Sequence, residues 1–98
     1  MPFEIHYSPR SKIELEKIIE YISSEFGIHK AFEIQDIFQK IIDQIKINPF
    51  QFPYFKREKN IRFCVINHQS TLYYRIENDI IELISFRSNW MNTKTRKL

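Results

Sequence analysis

Glycine is nearly absent from this sequence, which contains Gly27 and no other. Phosphate-binding loops need several glycines close together, so nucleotide sites of that kind are excluded. Cysteine is equally scarce: Cys64 has no second cysteine with which to form an internal disulfide, and it lies between Phe63 and Val65. A lone cysteine with apolar neighbours predicts a buried structural thiol in a protein from a reducing compartment.

Long apolar runs and clustered metal ligands are also missing. No stretch approaches the roughly 20 apolar residues that a membrane-spanning helix needs, and Glu4, His6 and Arg10 interrupt any leader-like run near the start. The histidines, His6, His29 and His68, do not have the spacing of converging zinc ligands. We therefore expect a cytoplasmic protein that needs no metal or cofactor and does not associate with a membrane.

The charge of the 98 residues is distributed unevenly. Residues 1–55 carry six Lys or Arg against eight Asp or Glu, whereas residues 56–98 carry nine against four, so the net charge changes from −2 to +5. The 43% hydrophobic and 15% aromatic content is that of a folded globule. A folded body with a cationic second half predicts an anionic partner, either nucleic acid or an acidic protein segment.

The first half has the pattern of one strand followed by two helices. Residues 3–8 alternate between apolar and polar, as a half-buried strand does, and Pro9 favours the start of a helix. Apolar stripes at helical spacing lie on both sides of Gly27, and the second helix is expected over residues 29–47. With so short a connection the helices should form an antiparallel hairpin. The acidic residues mostly opposite the stripes are expected to form a solvated face: Glu14, Glu16, Glu20, Asp36 and Asp43.

The second half has the pattern of three strands, at residues 61–66, 71–77 and 80–86, which are rich in Ile, Tyr and Phe. Asn78-Asp79 is a candidate for a tight hairpin. Residues 49–60 are expected to be an aromatic connection and a charged turn. The predicted fold is therefore α+β, in the order β-α-α-β-β-β, with the helix hairpin packed on one face of a small, mainly antiparallel sheet.

The chain is long enough for one hydrophobic core, so we expect a single domain over residues 1–98. Residues 89–98 are polar and basic, and we expect them to form a flexible tail.

A series of short motifs follows in one order along the chain: Ser8-Pro9, Asn48-Pro49, Phe52-Pro53-Tyr54, Ile61-Arg62, Leu72-Tyr73-Tyr74-Arg75-Ile76 and Ile81-Glu82-Leu83. This set, together with the length and the basic second half, resembles the RelE/ParE superfamily of small bacterial toxins over about residues 3–90. The resemblance implies the toxin of a type II toxin–antitoxin module. Its partner would be a small antitoxin whose C-terminal segment wraps the toxin.

The resemblance leaves two mechanisms open. RelE-like members are ribosome-dependent mRNA endonucleases, which need a base, an acid and cations, and they carry a Tyr or a His-Tyr pair near the C-terminus. This chain has no Tyr after Tyr74 and no His after His68, and an indole such as that of Trp90 cannot transfer a proton near neutral pH. The missing groups favour the ParE-like branch, whose members lack that catalytic set and are associated with poisoning DNA gyrase.

Each mechanism has its own candidate residues. A ParE-like chain would act by binding, not as an enzyme, and its contacts to antitoxin or gyrase would come from Arg57, Arg62, Tyr74, Arg75, Arg87 and Trp90. A RelE-like endoribonuclease would act on mRNA at the ribosome, and it would neutralise the scissile phosphate with Lys56, Arg57, Lys59, Arg62 and Arg75. A third alternative is a non-toxic domain that only binds an antitoxin.

Simpler structural roles compete with these assignments. Arg62 and Arg75 could each be solvated or form a cross-strand ion pair with Glu77 or Glu82. Because neighbouring residues of a strand point to opposite faces, one tyrosine of the Tyr73-Tyr74 pair should be buried and the other exposed.

Overall fold

A computed structural model of the chain describes residues 3–67 and 69–88. Its elements are β1 (Glu4–Tyr7), α1 (Pro9–Phe26), α2 (Ile28–Ile47), β2 (Tyr54–Lys56), a 3-10 turn (Arg57–Lys59), β3 (Ile61–Ile66), β4 (Ser70–Glu77) and β5 (Ile80–Ser88). This order confirms the α+β prediction and adds one short strand, β2. The predictions for Trp90 and for the tail over residues 89–98 lie outside the described residues.

The local sequence explains where the two helices begin and end. Ser8 caps α1, because its hydroxyl accepts the backbone N–H of Ser11 at 3.0 Å, and Pro9 occupies the first helical position. Gly27 separates the helices with a φ of 95°, a conformation that glycine adopts without strain. The proline that follows α2 ends it at Ile47. The two helices can therefore fold back on each other as a hairpin.

The strands form one sheet in the order β1-β5-β4-β3-β2. β1 runs parallel to β5, and the other neighbouring pairs are antiparallel, which confirms the prediction of a mainly antiparallel sheet. β2 lies where the sequence predicts a connection. It pairs with β3 through Tyr54 and Lys56 and has a bulge at Phe55. A strand of three residues is too short to show the alternation that identifies strands in a sequence.

Both helices pack on one face of the sheet, which is termed the covered face. The core between them consists of Ile18, Ile22, Ala31, Ile34, Phe38, Ile42, Ile45, Cys64, Ile66, Leu72, Tyr74, Ile81, Leu83 and Phe86. Phe38 of α2 stacks on Phe86 of β5 with ring centroids 5.7 Å apart. Burial raises the pKa of the Cys64 thiol to about 11. The prediction that Cys64 is a buried structural residue is therefore confirmed.

Candidate functional site

The face of the sheet opposite the helices, termed the open face, collects side chains from the three central strands. Strand alternation and register place there Ile61, Phe63 and Val65 from β3, Thr71, Tyr73, Arg75 and Glu77 from β4, and Ile80, Glu82, Ser85 and Arg87 from β5. Val65 is 56% exposed, and Phe55 of the neighbouring β2 is 51% exposed. Contiguous exposed apolar side chains of this kind mark an interaction surface.

An aromatic cluster occupies the centre of the open face. The Phe55 ring meets the Tyr73 ring edge to face, with centroids 4.8 Å apart and an interplanar angle of 68°. A similar contact joins Phe55 to Phe63 at 6.3 Å. Edge-to-face pairs are favourable, so the exposed Phe55 ring is held in place before any partner arrives.

A β-bulge in β5 decides which side chains reach the open face. The register of β4 against β5 shifts by one residue at Ile84, which has no partner in the ladder. Without this shift, the alternation that buries Leu83 would turn Arg87 toward the helices and Phe86 outward. The bulge instead buries Phe86 and leaves Arg87 exposed.

Glu14 attaches α1 to the edge of this site. Its carboxylate accepts hydrogen bonds from the Ser85 hydroxyl at 2.8 Å and the Phe86 N–H at 3.1 Å, and it pairs with Arg10 at 3.0 Å. β1 ends opposite Leu83, so it cannot accept N–H groups from the later part of β5, and Glu14 supplies an acceptor instead. The prediction that Glu14 belongs to a solvated acidic face is wrong, since its side chain is 25% exposed and bound to β5.

Two arginines border a cleft of about 150 Å³ at one end of the open face. The cleft is lined by Arg10, Phe55, Ile61, Tyr73, Ile84, Ser85 and Arg87, so its walls are mainly apolar. Arg10 comes from α1 and Arg87 from β5, and both also line an adjoining cleft of about 310 Å³. Within residues 3–67 and 69–88, Arg87 has no carboxylate partner, whereas Arg10 pairs with Glu14.

Arg75 and Arg87 are the predicted contact residues that the structure places on the open face. Arg75 forms an ion pair with Glu82 at 3.3 Å, and its Nε donates to the Lys59 carbonyl at 3.3 Å. This is the cross-strand pair that the simpler interpretation of Arg75 expects. Partly exposed pairs contribute about 0–1 kcal/mol, so a partner's carboxylate could compete for Arg75.

Arg62 lies on the covered side of β3, the side to which Cys64 also points. Its Nη1 donates to the Phe52 carbonyl at 2.6 Å, and its guanidinium carbon is 4.1 Å from the Tyr54 ring centroid, within cation–π range. Its Nε is buried without a hydrogen-bond partner among the described residues. Arg62 therefore holds the connection over residues 49–54 against the sheet.

The remaining predicted cations lie at the edge of the sheet near β2. Arg57 is exposed, and its guanidinium carbon is 4.5 Å from the Tyr54 ring centroid. Of the residues predicted for a nuclease, Lys56 has its Nζ 5.9 Å from the Phe55 ring centroid, and Lys59 is exposed in the 3-10 turn. These side chains can meet a partner, but at the border of the open face.

The predicted arginines consequently form two groups. Arg57 and Arg62 surround Tyr54, whereas Arg75 and Arg87 project from the open face. Strand alternation is the reason, because it places Arg62 and Arg75 on opposite faces of the sheet.

Tyr74 requires a correction as a contact residue. It is fully buried, and its hydroxyl donates to the Pro49 carbonyl at 2.7 Å. Burial raises the pKa of Tyr74, so the phenol stays neutral. The half-buried tyrosine on the open face is Tyr73, and the prediction that the two side chains occupy opposite faces is confirmed.

Arg10, Phe55 and Ile84 are members of this site that sequence reasoning missed. Arg10 is distant in sequence from the strands that form the open face, and Phe55 lies in a strand too short to recognise. The bulge at Ile84 did leave a signal, because the buried residues Leu83 and Phe86 are three positions apart where a regular strand requires an even number.

The described residues also bear on whether the chain could hold a metal ion or span a membrane. Over residues 3–67 and 69–88, no three His, Cys, Asp or Glu side chains come together in a group that could hold a metal ion. No helix in the same part of the chain has the length and apolar character needed to cross a membrane.

Comparison with protein families identifies the fold. The model of the ParE toxin of the type II toxin–antitoxin system, parDE, matches residues 5–92. The chain belongs to this toxin family. The resemblance seen in the ordered motifs is confirmed, and the family match covers both helices, the open face and the arginines that border it.

Solved structures share the fold of this ParE-family chain. A chain in the structure of the chromosomal ParDE toxin–antitoxin system from P. aeruginosa superimposes with a TM-score of 0.76 at 10% identity, covering 88% of this chain and 95% of that chain. The conserved hypothetical protein HP0894 from Helicobacter pylori superimposes with a TM-score of 0.53 at 16% identity, covering 90% and 96% respectively. No curated protein matches the chain by sequence.

Proposed function

We propose that this chain inhibits growth by binding DNA gyrase in the cytoplasm and that a cognate antitoxin neutralises it by direct binding. The observation that carries the proposal is the family match over residues 5–92, because that family consists of toxins of parDE modules. The shared fold with a chain of the P. aeruginosa ParDE system supports an antitoxin as the partner.

The chemistry of the open face supports binding more strongly than catalysis. Attack of a 2′-hydroxyl on its phosphate needs a base and an acid within hydrogen-bond reach. The acid–base groups that the strands contribute to this side of the sheet lie near β1, where His6, Glu77 and Glu82 line one cleft. Glu82 is ion-paired with Arg75, and the His6 ring is 3.1 Å from the Glu4 carboxylate. None of these groups lines the cleft between Arg10 and Arg87. Guanidinium groups such as those of Arg75 and Arg87 do not release protons near neutral pH.

The contact residues fall into direct and indirect groups under this proposal. Arg57, Arg75 and Arg87 would contact the antitoxin or gyrase, and Trp90 stays a prediction. Arg62 and Tyr74 would act indirectly, because their hydrogen bonds hold the connection over residues 49–54 in place: the Arg62 guanidinium binds the Phe52 carbonyl, and the Tyr74 hydroxyl binds the Pro49 carbonyl.

A supercoiling assay tests the gyrase target. An excess of purified protein should reduce supercoiling of relaxed plasmid by gyrase, and Arg87→Ala should weaken this inhibition. Lys40→Ala is a matched control, because Lys40 is an exposed cation that pairs with Asp36 on α2, far from the open face in the fold. Unchanged supercoiling at excess protein would remove gyrase as the target.

A ribosome-dependent mRNA nuclease is the second candidate, and the observation that favours it is the combination of Lys56, Arg75 and Arg87 with exposed aromatic rings. Cations can neutralise a phosphate, and aromatic rings can stack on bases. Transcript mapping after induction tests this candidate: codon-positioned cleavage that disappears in Arg75→Ala would establish it. A chain that binds an antitoxin but neither arrests growth nor cleaves RNA would be a non-toxic binding domain.

A further inference from the structure

The cleft between Arg10 and Arg87 has the chemistry of an anchor site for another polypeptide. The Phe55, Ile61, Tyr73 and Ile84 side chains form its walls, and the two guanidinium groups border it. An apolar cleft of about 150 Å³ accepts a side chain and leaves little room for a larger ligand.

The apolar walls favour a protein segment over nucleic acid. Aliphatic side chains continue the surface beyond the cleft, with Val65 56% exposed. The cleft has two cations, Arg10 and Arg87, both at its border, and Arg10 is already paired with Glu14. Nucleic-acid sites instead place cations along the whole path of the phosphates.

Charge sets a second requirement on the occupant. An apolar side chain that filled the cleft would remove water from Arg87, which has no carboxylate partner in the described part of the chain. Burying an unpaired charge is unfavourable. The occupant must therefore supply a carboxylate close to its apolar side chain.

Arg10 can accept such a carboxylate with little rearrangement. Ser85 and the Phe86 N–H donate to Oε1 of Glu14, whereas Arg10 donates to Oε2, so Glu14 stays attached to β5 if Arg10 turns toward a partner. The Arg10 side chain is 64% exposed, and an exposed ion pair of this kind contributes about 0–1 kcal/mol.

We infer that this cleft anchors the antitoxin through a large apolar side chain with Asp or Glu one or two residues away. The apolar side chain enters between Phe55 and Ile84, and the carboxylate bridges Arg10 and Arg87. This inference rests on the proposed function, because it takes the partner to be an antitoxin.

Peptide selection on the folded chain tests the site. Random peptides displayed on phage are selected against the immobilised full chain, and the leading peptide is labelled and titrated by fluorescence anisotropy. Selected peptides should combine a large apolar residue with a nearby Asp or Glu. Arg87→Glu and Phe55→Ser should each raise the Kd by about tenfold or more. Phe32→Ser, at a 61% exposed position on α2, should leave the Kd unchanged.

Several outcomes would overturn the inference. Selected peptides without acidic residues, or with a Kd that Arg87→Glu and Phe55→Ser leave unchanged, would place the binding elsewhere. If single-stranded RNA binds more tightly than the peptide and Arg87→Glu abolishes this binding, the cleft would be assigned to nucleic acid.

Growth assays separate this inference from the proposed function. A wild-type chain that fails to arrest growth would contradict the toxin function, whatever the peptide result. If the chain arrests growth and its Arg87→Glu, Phe55→Ser double variant still binds the purified protein encoded beside its gene with the wild-type Kd, the inference alone is overturned.

Discussion

The two faces of the sheet are both apolar at their centres, yet only one is closed over by the described helices. On the covered face, Leu72 and Leu83 are completely buried. On the open face, Phe55 and Val65 are each more than half exposed, and Phe55 lines a cleft together with Arg10 and Arg87. The comparison teaches that hydrophobicity does not by itself distinguish a core from an interface. Charged residues at the border of an apolar centre are typical of an interface.

Two arginines show the same contrast. Arg62 is engaged by carbonyl groups and the Tyr54 ring, and it orders a connection of its own chain. Arg87 is exposed and has no ion pair among the described residues. One guanidinium therefore stabilises the fold, whereas the other remains available to a partner.

The largest expected effect is that of Phe38→Ala on the covered face, and Phe55→Ala on the open face is the comparison. Phe38→Ala should lower the free energy of unfolding by about 3–5 kcal/mol, because it leaves a cavity in the core beside Phe86. Phe55→Ala should cost less than about 1.5 kcal/mol, since it loses only edge-to-face contacts at an exposed position. Urea denaturation followed by circular dichroism measures both. Equal losses would show that the open face is part of the stabilising core.

Replacing Arg62 or Arg87 should have a smaller effect on the free energy of unfolding, and the effect should differ between the two arginines. Arg62→Ala should lower the free energy of unfolding by about 2 kcal/mol, because it removes charged hydrogen bonds to backbone carbonyls. Arg87→Ala should change it by no more than about 0.5 kcal/mol. Arg62→Lys, which keeps the charge but loses the planar stacking group, should fall between them. The same denaturation experiment checks all three variants, and a large loss in Arg87→Ala would contradict its role as a free contact residue.

The element order and the covered face could be predicted from the sequence because each depends on local patterns. The helical stripes, the proline and glycine boundaries and the Asn78-Asp79 turn all gave the structure that was expected. The predicted solvent exposure of Glu14 was wrong: its helical position is polar, but the carboxylate replaces a missing strand at the edge of β5. No local pattern carries that long-range contact.

The candidate site was less predictable because a single register shift determines it. A one-residue bulge reverses the direction of every later side chain in β5, and it sends Arg87 to the open face. Arg62 was assigned with Arg75 because both alternate with apolar residues, yet an aromatic connection over residues 49–54 covers Arg62. Alternation shows that two positions differ in direction, but it does not show which face a connection will cover.

The pH dependence of stability tests whether the covered face excludes water at β3. The Cys64 thiol keeps its proton up to a pKa of about 11 in the folded chain, whereas an exposed thiol has a pKa of 9.0. Between these values the folded state binds more protons than the unfolded state, so the free energy of unfolding falls as the pH rises, and the full contribution is present below pH 9. Cys64→Ala should flatten this part of the pH profile by about 1–3 kcal/mol, because each pKa unit corresponds to about 1.36 kcal/mol. Burial raises the pKa of Tyr74 and the Cys64 thiolate raises it further, so the difference between the two denaturation curves reports the thiol together with its effect on this neighbouring phenol. Identical profiles would mean that water reaches Cys64 and that the two faces differ less than the burial of their side chains indicates.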